Sequence, residues 1–195
     1  MNAKRSKKQR KPRADSLRNR ERVLQAATQI FSAGGPQASL EAVARKAGVG
    51  IGTLYRHFPT REALFEAVYR HEVDVLVALA EKLSRDGDPV EALRQWLQAN
   101  VRLAATKKGM IEGLQLVAHN PSELKAYSFQ RLADAIGVLF DRAIAAGEIR
   151  SDVSPDNLLR TLVGIFYSSG VRNWQPDAMR LVDVFVDGLR TRRNR

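Results

Sequence analysis

The chain has 195 residues, 27% of them charged, a net charge of +11 and no cysteine. That length buries a sizeable core in one or two domains, while the lack of cysteine excludes disulfides and thiolate metal sites. No apolar run approaches the ~20 residues that span a bilayer, and no apolar stretch follows the basic N-terminus as in a signal peptide, so a cytoplasmic protein without membrane partners is expected.

The chain opens on a basic arm. Residues 1–13 hold Lys4, Arg5, Lys7, Lys8, Arg10, Lys11 and Arg13 and no acid. Such a block cannot bury a core, and residues 1–14 are expected to be disordered when free. An arm that tracks phosphates or enters a minor groove has this composition, and so has a solubilising tail. Residues 1–60 carry 13 Lys and Arg against 3 Asp and Glu, whereas residues 61–195 carry 19 against 18. Nearly all of the excess charge lies on the first third, which is the footprint of a polyanion partner.

A first helix is expected over about Leu17–Ala33. Val23, Ala27, Ile30 and Phe31 form its inner face, and Gly34-Gly35-Pro36 ends it. Residues 39–61 then read SLEAVARKAGVGIGTLYRHFPTR. Ser39 can cap a short helix in which Leu40, Val43, Ala44 and Ala47 recur at i, i+3, i+4 and i+7. Ala44 is small enough for a crossing helix to come close. Gly48 follows, where a left-handed residue closes the helix. A second short helix runs from about Gly50 to His57, with Leu54 and Phe58 inward and Thr53, Arg56 and His57 pointing elsewhere. Two short helices about a tight glycine turn are the layout of a helix-turn-helix, whose second helix lies in the DNA major groove.

The remainder reads as helix. A fourth is capped by Thr60 and runs to about Ser84, with Leu64, Val68, Val75, Leu79 and Leu83 on one side. Asp88-Pro89-Val90-Glu91 combines a cap, a first-turn proline and an acid, and opens a fifth. Lys107-Lys108-Gly109 ends it, and a short sixth covers about Met110–His119. Asn120-Pro121-Ser122-Glu123 opens a seventh, closed by Gly147. Ser154-Pro155-Asp156 opens an eighth, to about Ser169, and Pro176-Asp177 a ninth, to about Arg192. No alternating strand pattern appears, so an all-α chain of nine helices is expected.

Residues 23–69 resemble the DNA-binding domain of the TetR/AcrR family of bacterial transcriptional regulators. The resemblance rests on Phe31, Gly34, Ala44 and Gly48, on the run Gly52-Thr53-Leu54-Tyr55 with His57-Phe58, and on Glu62 with Leu64. It implies an N-terminal three-helix helix-turn-helix domain, residues 15–61, behind the arm of residues 1–14. Residues 62–195 would form a helical ligand-binding and dimerisation domain. The implied function is a sequence-specific regulator, a repressor released from a double-stranded DNA operator by an unknown small-molecule effector. By this resemblance Ser39 contacts phosphate, Tyr55 and His57 match phosphate-binding positions, and Arg61 stands where a lysine usually binds phosphate. Ile51, Gly52, Thr53 and Arg56 match positions that face bases, and Arg56 suits guanine O6 and N7. Gly50 departs from the pattern, which has a capping serine there, although its N–H can still reach phosphate.

The resemblance also implies a homodimer through the eighth and ninth helices. Leu158, Leu159, Leu162, Val163, Ile165 and Phe166, then Leu181, Val182, Val184, Phe185, Val186 and Leu189, exceed what one face hides. Trp96, Asn100, Met110, Gln115, His119, Tyr127 and Phe166 offer apolar walls and polar handles for an effector pocket, and the same side chains suit an ordinary core. An enzyme is not expected. His57, His71 and His119 are far apart, and no P-loop, nucleophile elbow, cofactor fingerprint or metal motif is present. Two other readings remain: a non-specific or architectural nucleic-acid binder, and a ligand-binding module without operator function.

Removal of residues 1–13 should lower DNA affinity and flatten its salt dependence. Each lost phosphate contact changes the log–log slope by about 0.9. Binding measured across a salt series checks this, and an unchanged slope makes the arm a bystander.

Overall fold

The computed structural model describes residues 10–34, 38–117, 121–168 and 174–191, with side chains at 14–32, 38–104, 123–124, 126–164 and 174–191. The described residues form eight helices: α1 (Arg10–Gly34), α2 (Leu40–Ala47), α3 (Ile51–His57), α4 (Arg61–Leu83), α5 (Pro89–Val117), α6 (Pro121–Ala145), α7 (Pro155–Ser168) and α8 (Gln175–Leu189). The all-helical expectation holds, but the expected count of nine does not. The fifth and sixth expected helices are one, because α5 runs unbroken through Gly109. A single interior glycine costs only about 1 kcal/mol against alanine. Good helix formers on both sides outweigh it. α1 also starts at Arg10, so residues 10–14 of the expected arm are helical. Residues 1–9 lie outside the described residues.

The chain divides into two compact units. The first runs to His71 and includes the part of α5 beyond Thr106; the second holds Glu72–Ala105 and α6 to α8. In the first, α1 contributes Val23, Leu24, Ala27 and Phe31 to a core shared with α2, α3 and the start of α4. The rings of Phe31 and Phe65 meet at 4.4 Å between centroids. Thr60 caps α4, its Oγ1 accepting from Ala63 N at 3.1 Å. Leu64 and Val68 are fully buried as expected, but Val75 is half exposed. The expectation assumed one stripe for one core. α4 serves two, and beyond His71 it buries Val73, Leu76 and Ala80 instead.

The second unit is built around α5. Asp88 caps it through Oδ1, which accepts from Val90 N and Glu91 N, both at 2.8 Å. Val90, Leu93, Trp96 and Leu97 are fully buried. The Trp96 indole donates to Leu76 O at 2.8 Å, which satisfies its one polar atom. Arg142 on α6 holds the α4–α5 connection, donating to the carbonyls of Leu83, Asp86 and Gly87. Arg94 joins α5 to α8 through Asp183 at 2.9 Å and Asp187 at 2.6 Å. Burial opposes its charge, but the hydrogen bonds that it donates to these two carboxylates outweigh burial and raise its pKa. Gly147, at φ 70°, ends α6. The segment after it pairs with the end of α8, where Ile149 and Arg190 form an isolated antiparallel bridge. Among the described residues no helix is long and apolar enough to cross a membrane.

Trp96→Phe keeps most of the apolar contact but removes the indole N–H and leaves a void. It should destabilise the protein by about 1–3 kcal/mol. A shifted denaturant midpoint checks this, and an unchanged midpoint would show that the hydrogen bond and the packing contribute nothing.

Candidate nucleic-acid interface

The site is built outward from one turn. α2 buries Leu40, Val43, Ala44 and Ala47. At its C-terminus Gly48 takes φ 64°, which costs glycine little. Gly48 N donates to Arg45 O at 3.1 Å, and Val49 N to Ala44 O at 3.0 Å. This pair of bonds is a Schellman motif and satisfies the last carbonyls of α2. A Cβ at Gly48 would also collide with the Arg22 guanidinium, which donates from α1 to Gly48 O at 3.2 Å. Gly50 is the N-cap of α3 with no side-chain bond, and nothing lies within 4 Å of a Cβ added there.

α3 is anchored through Leu54, which is fully buried, and Phe58 behind it. Arg20 of α1 lies over the Phe58 ring at 5.4 Å. The outward face then carries Ile51, Gly52, Tyr55 and Arg56, all exposed, with Thr53 and His57 half-buried at its edges. Gly52 sits one turn before Arg56, and nothing lies within 4 Å of a Cβ added at Gly52. Backbone can therefore be approached closely there. Arg56 pairs with no carboxylate among the described residues.

A second cluster forms at the start of α2. Ser39 caps it, its Oγ accepting from Ala42 N at 3.3 Å. The same hydroxyl donates to Glu41 Oε2 at 2.6 Å. That bond, ahead of the nearby Arg61 charge, holds the Glu41 carboxyl below its usual range. Arg61 reaches back from α4 and donates to Ala38 O at 2.7 Å, with its guanidinium 5.7 Å from the Phe65 ring centroid. Arg61, expected only as a phosphate ligand, is thus also a brace for the entrance to α2. Arg22 and Glu41 were not anticipated by the sequence reading. Glu41 had one signal: it is the only acid between residues 22 and 61.

Three of the expected effector residues, Trp96, Asn100 and Tyr127, have described side chains. Trp96 is fully buried with its indole on Leu76 O, and Asn100 is buried with Nδ2 donating to Trp96 O at 3.0 Å. Tyr127 is exposed, beneath the Arg131 guanidinium. The side chains of Met110, Gln115 and Phe166, and all of His119, lie outside the described residues. A groove of about 510 Å³ between α4 and α6, lined by Val77, Ala80, Glu81, Arg85, Arg131 and Val138 among others, contains none of the expected residues.

Residues 23–68 match the family model described as bacterial regulatory proteins, tetR family. Residues 88–191 match the C-terminal domain of SbtR-like transcriptional regulators. A solved TetR transcriptional regulator of Streptomyces coelicolor is 43% identical, with a TM-score of 0.80, and covers 89% of this chain and 99% of its own. The TetR regulatory protein of Mycobacterium vanbaalenii is 34% identical, with a TM-score of 0.73 over 92% and 99% of the two chains. A Staphylococcus aureus HTH-type transcriptional regulator, SAR2658, is 23% identical over 90% of this chain and 96% of its own. The left-handed turn, the exposed face of α3 and both halves of the sequence agree: the chain belongs to the TetR family of transcriptional regulators, with α2 and α3 as its DNA-binding helix-turn-helix.

Proposed function

We propose that the protein is a homodimeric repressor that leaves a pseudo-palindromic operator when a small molecule binds. The observation that carries this is the α3 face. It offers Arg56, Tyr55 and Ile51 and a bare backbone at Gly52 to solvent, while Leu54 holds it to the core. In this reading Ile51, Gly52, Thr53 and Arg56 face bases, and Ser39, Gly50, Tyr55, His57 and Arg61 contact the backbone. Residues 15–61 act as the DNA-binding domain and residues 62–195 as the effector and dimer domain.

The dimer reading draws support from α8. Leu181 is 40% and Val184 67% exposed, and Gly188 completes an outward stripe at i, i+3 and i+7. An apolar stripe left in water suits a self-complementary two-fold contact with α7 and α8 of a second copy. An apolar or amphipathic effector in the helical domain then acts through α4, one continuous helix that begins beside the helix-turn-helix and ends in the second unit. Linkage requires that the operator weaken effector binding by the same factor as the reverse, on the order of 5- to 150-fold.

A two-fold dimer should give a footprint with inverted symmetry and half-sites about 34–36 Å apart. A footprint without inverted symmetry would sink the dimeric reading. Arg56→Ala should relax preference at one base pair per half-site, worth about 1–3 kcal/mol, whereas Tyr55→Phe should weaken all duplexes alike. Site selection on both variants separates the two roles; an Arg56 variant with unchanged preference removes Arg56 from base reading.

Gly52→Ala provides a separate check. The added methyl meets nothing in the free protein, and alanine in a helix gains roughly 0.5–1 kcal/mol over glycine. The variant should melt higher yet bind the operator more weakly, because the methyl stands between backbone and DNA. Equal or tighter binding would show that DNA does not approach at Gly52.

A further inference from the structure

Ser39 has one hydroxyl proton, and in the free protein Glu41 takes it. The Ser39 Oγ donates to Glu41 Oε2 at 2.6 Å and accepts from Ala42 N at 3.3 Å. A DNA phosphate that contacts Ser39 needs that same proton. It would also stand about 3 Å from Oγ. Glu41 Oε2 is 2.6 Å from the same atom, so the two anions would lie within about 6 Å of each other. No other acid lies between residues 22 and 61. Arg61, whose charge acts on Glu41, already donates to Ala38 O.

We propose that Glu41 is an affinity-limiting residue of the DNA interface: its carboxylate occupies the place of a phosphate oxygen at Ser39 and must be displaced for the backbone to bind. This rests on the reading that Ser39 contacts phosphate. The competition is for a phosphate and not for a base, so it weakens operator and random DNA alike. It therefore lowers affinity without changing sequence preference. In a chain whose first 13 residues carry seven cations, such a carboxylate opposes retention on non-operator DNA. Both charges face solvent, so their repulsion lies toward the aqueous end of the Coulomb range, roughly three- to tenfold in affinity per subunit.

The test uses the full-length protein, a duplex recovered by selection from random DNA, and a scrambled duplex of equal length. Glu41→Gln and Glu41→Ala should each tighten both duplexes by about three- to tenfold per half-site, with the ratio between them unchanged. The log–log salt slope should steepen by up to about 0.9 per subunit. Ser39→Gly removes the hydroxyl but keeps a residue favoured at the N-cap. It should cost more affinity in the Glu41→Ala background than in the parent, because only there does no acceptor on residue 41 contest the proton. If Ser39→Gly weakens binding but both Glu41 variants bind as the parent or more weakly, the proposal is overturned and the phosphate reading stands. If Ser39→Gly changes nothing in either background, the phosphate contact at Ser39 fails and the proposal fails with it. If Glu41→Gln tightens only the operator, the residue acts on sequence preference and the affinity-limiting role is wrong.

Discussion

The interface depends on a single left-handed residue. Gly48, at φ 64°, lets α2 end and α3 begin with only Val49 and Gly50 after it. Any residue with a Cβ pays about 1–2 kcal/mol for that conformation and here also meets the Arg22 guanidinium. The turn is not left to its own two hydrogen bonds. Arg22 of α1 grips the Gly48 carbonyl, and Arg61 of α4 grips the Ala38 carbonyl at the opposite end of α2. The eight-residue α2 is thus held at both ends by guanidinium groups, one from α1 and one from α4. α3, at seven residues, is too short to be stable alone. Its orientation follows from Leu54 in the core and from the turn that leads into it.

The division of labour between polar and apolar groups is clear in the energies. Each exposed guanidinium–carbonyl bond adds about 1 kcal/mol net. The shared core of Phe31, Leu54, Phe65 and their neighbours, each side chain worth about 1.5–3 kcal/mol on burial, supplies the stability. The arginines select one arrangement among those the core would accept. That separation lets the outward face of α3 be composed for DNA, including a glycine at position 52 that no rule of helix stability would choose.

Much of this was legible in the residues because the signals are local. A cap needs only the residue and the next turn, so Ser39, Thr60, Asp88 and Ser154 all sit where expected, each accepting from a first-turn N–H. The turn at Gly48 was legible for the same reason. What was not legible depends on partners distant in sequence. Arg22 and Gly48 are 26 residues apart, and Arg61 and Ala38 are 23 apart. The start of α1 was misjudged because Arg10 carries no cap signal. Gly109 was misjudged in the other direction: a local stop signal was overridden by the helix on either side. Periodicity cannot separate a wall of a cavity from the filling of a core, so it does not tell the buried Trp96 from the exposed Tyr127.

The change of buried face along α4 bears on how the chain tolerates insertions and deletions. Its first half fills one core with Leu64, Phe65 and Val68, and its second half fills another with Val73, Leu76 and Ala80. Losing one residue between Tyr69 and Val73 would turn everything beyond it by about 100° and draw it back by about 1.5 Å. One core would then face water whichever half kept its register. The connection at 84–88 has no such phase to keep, since Arg142 binds it only through carbonyls. Length variation among related chains should therefore gather in such connections, while the span from Leu64 to Ala80 keeps a fixed residue count.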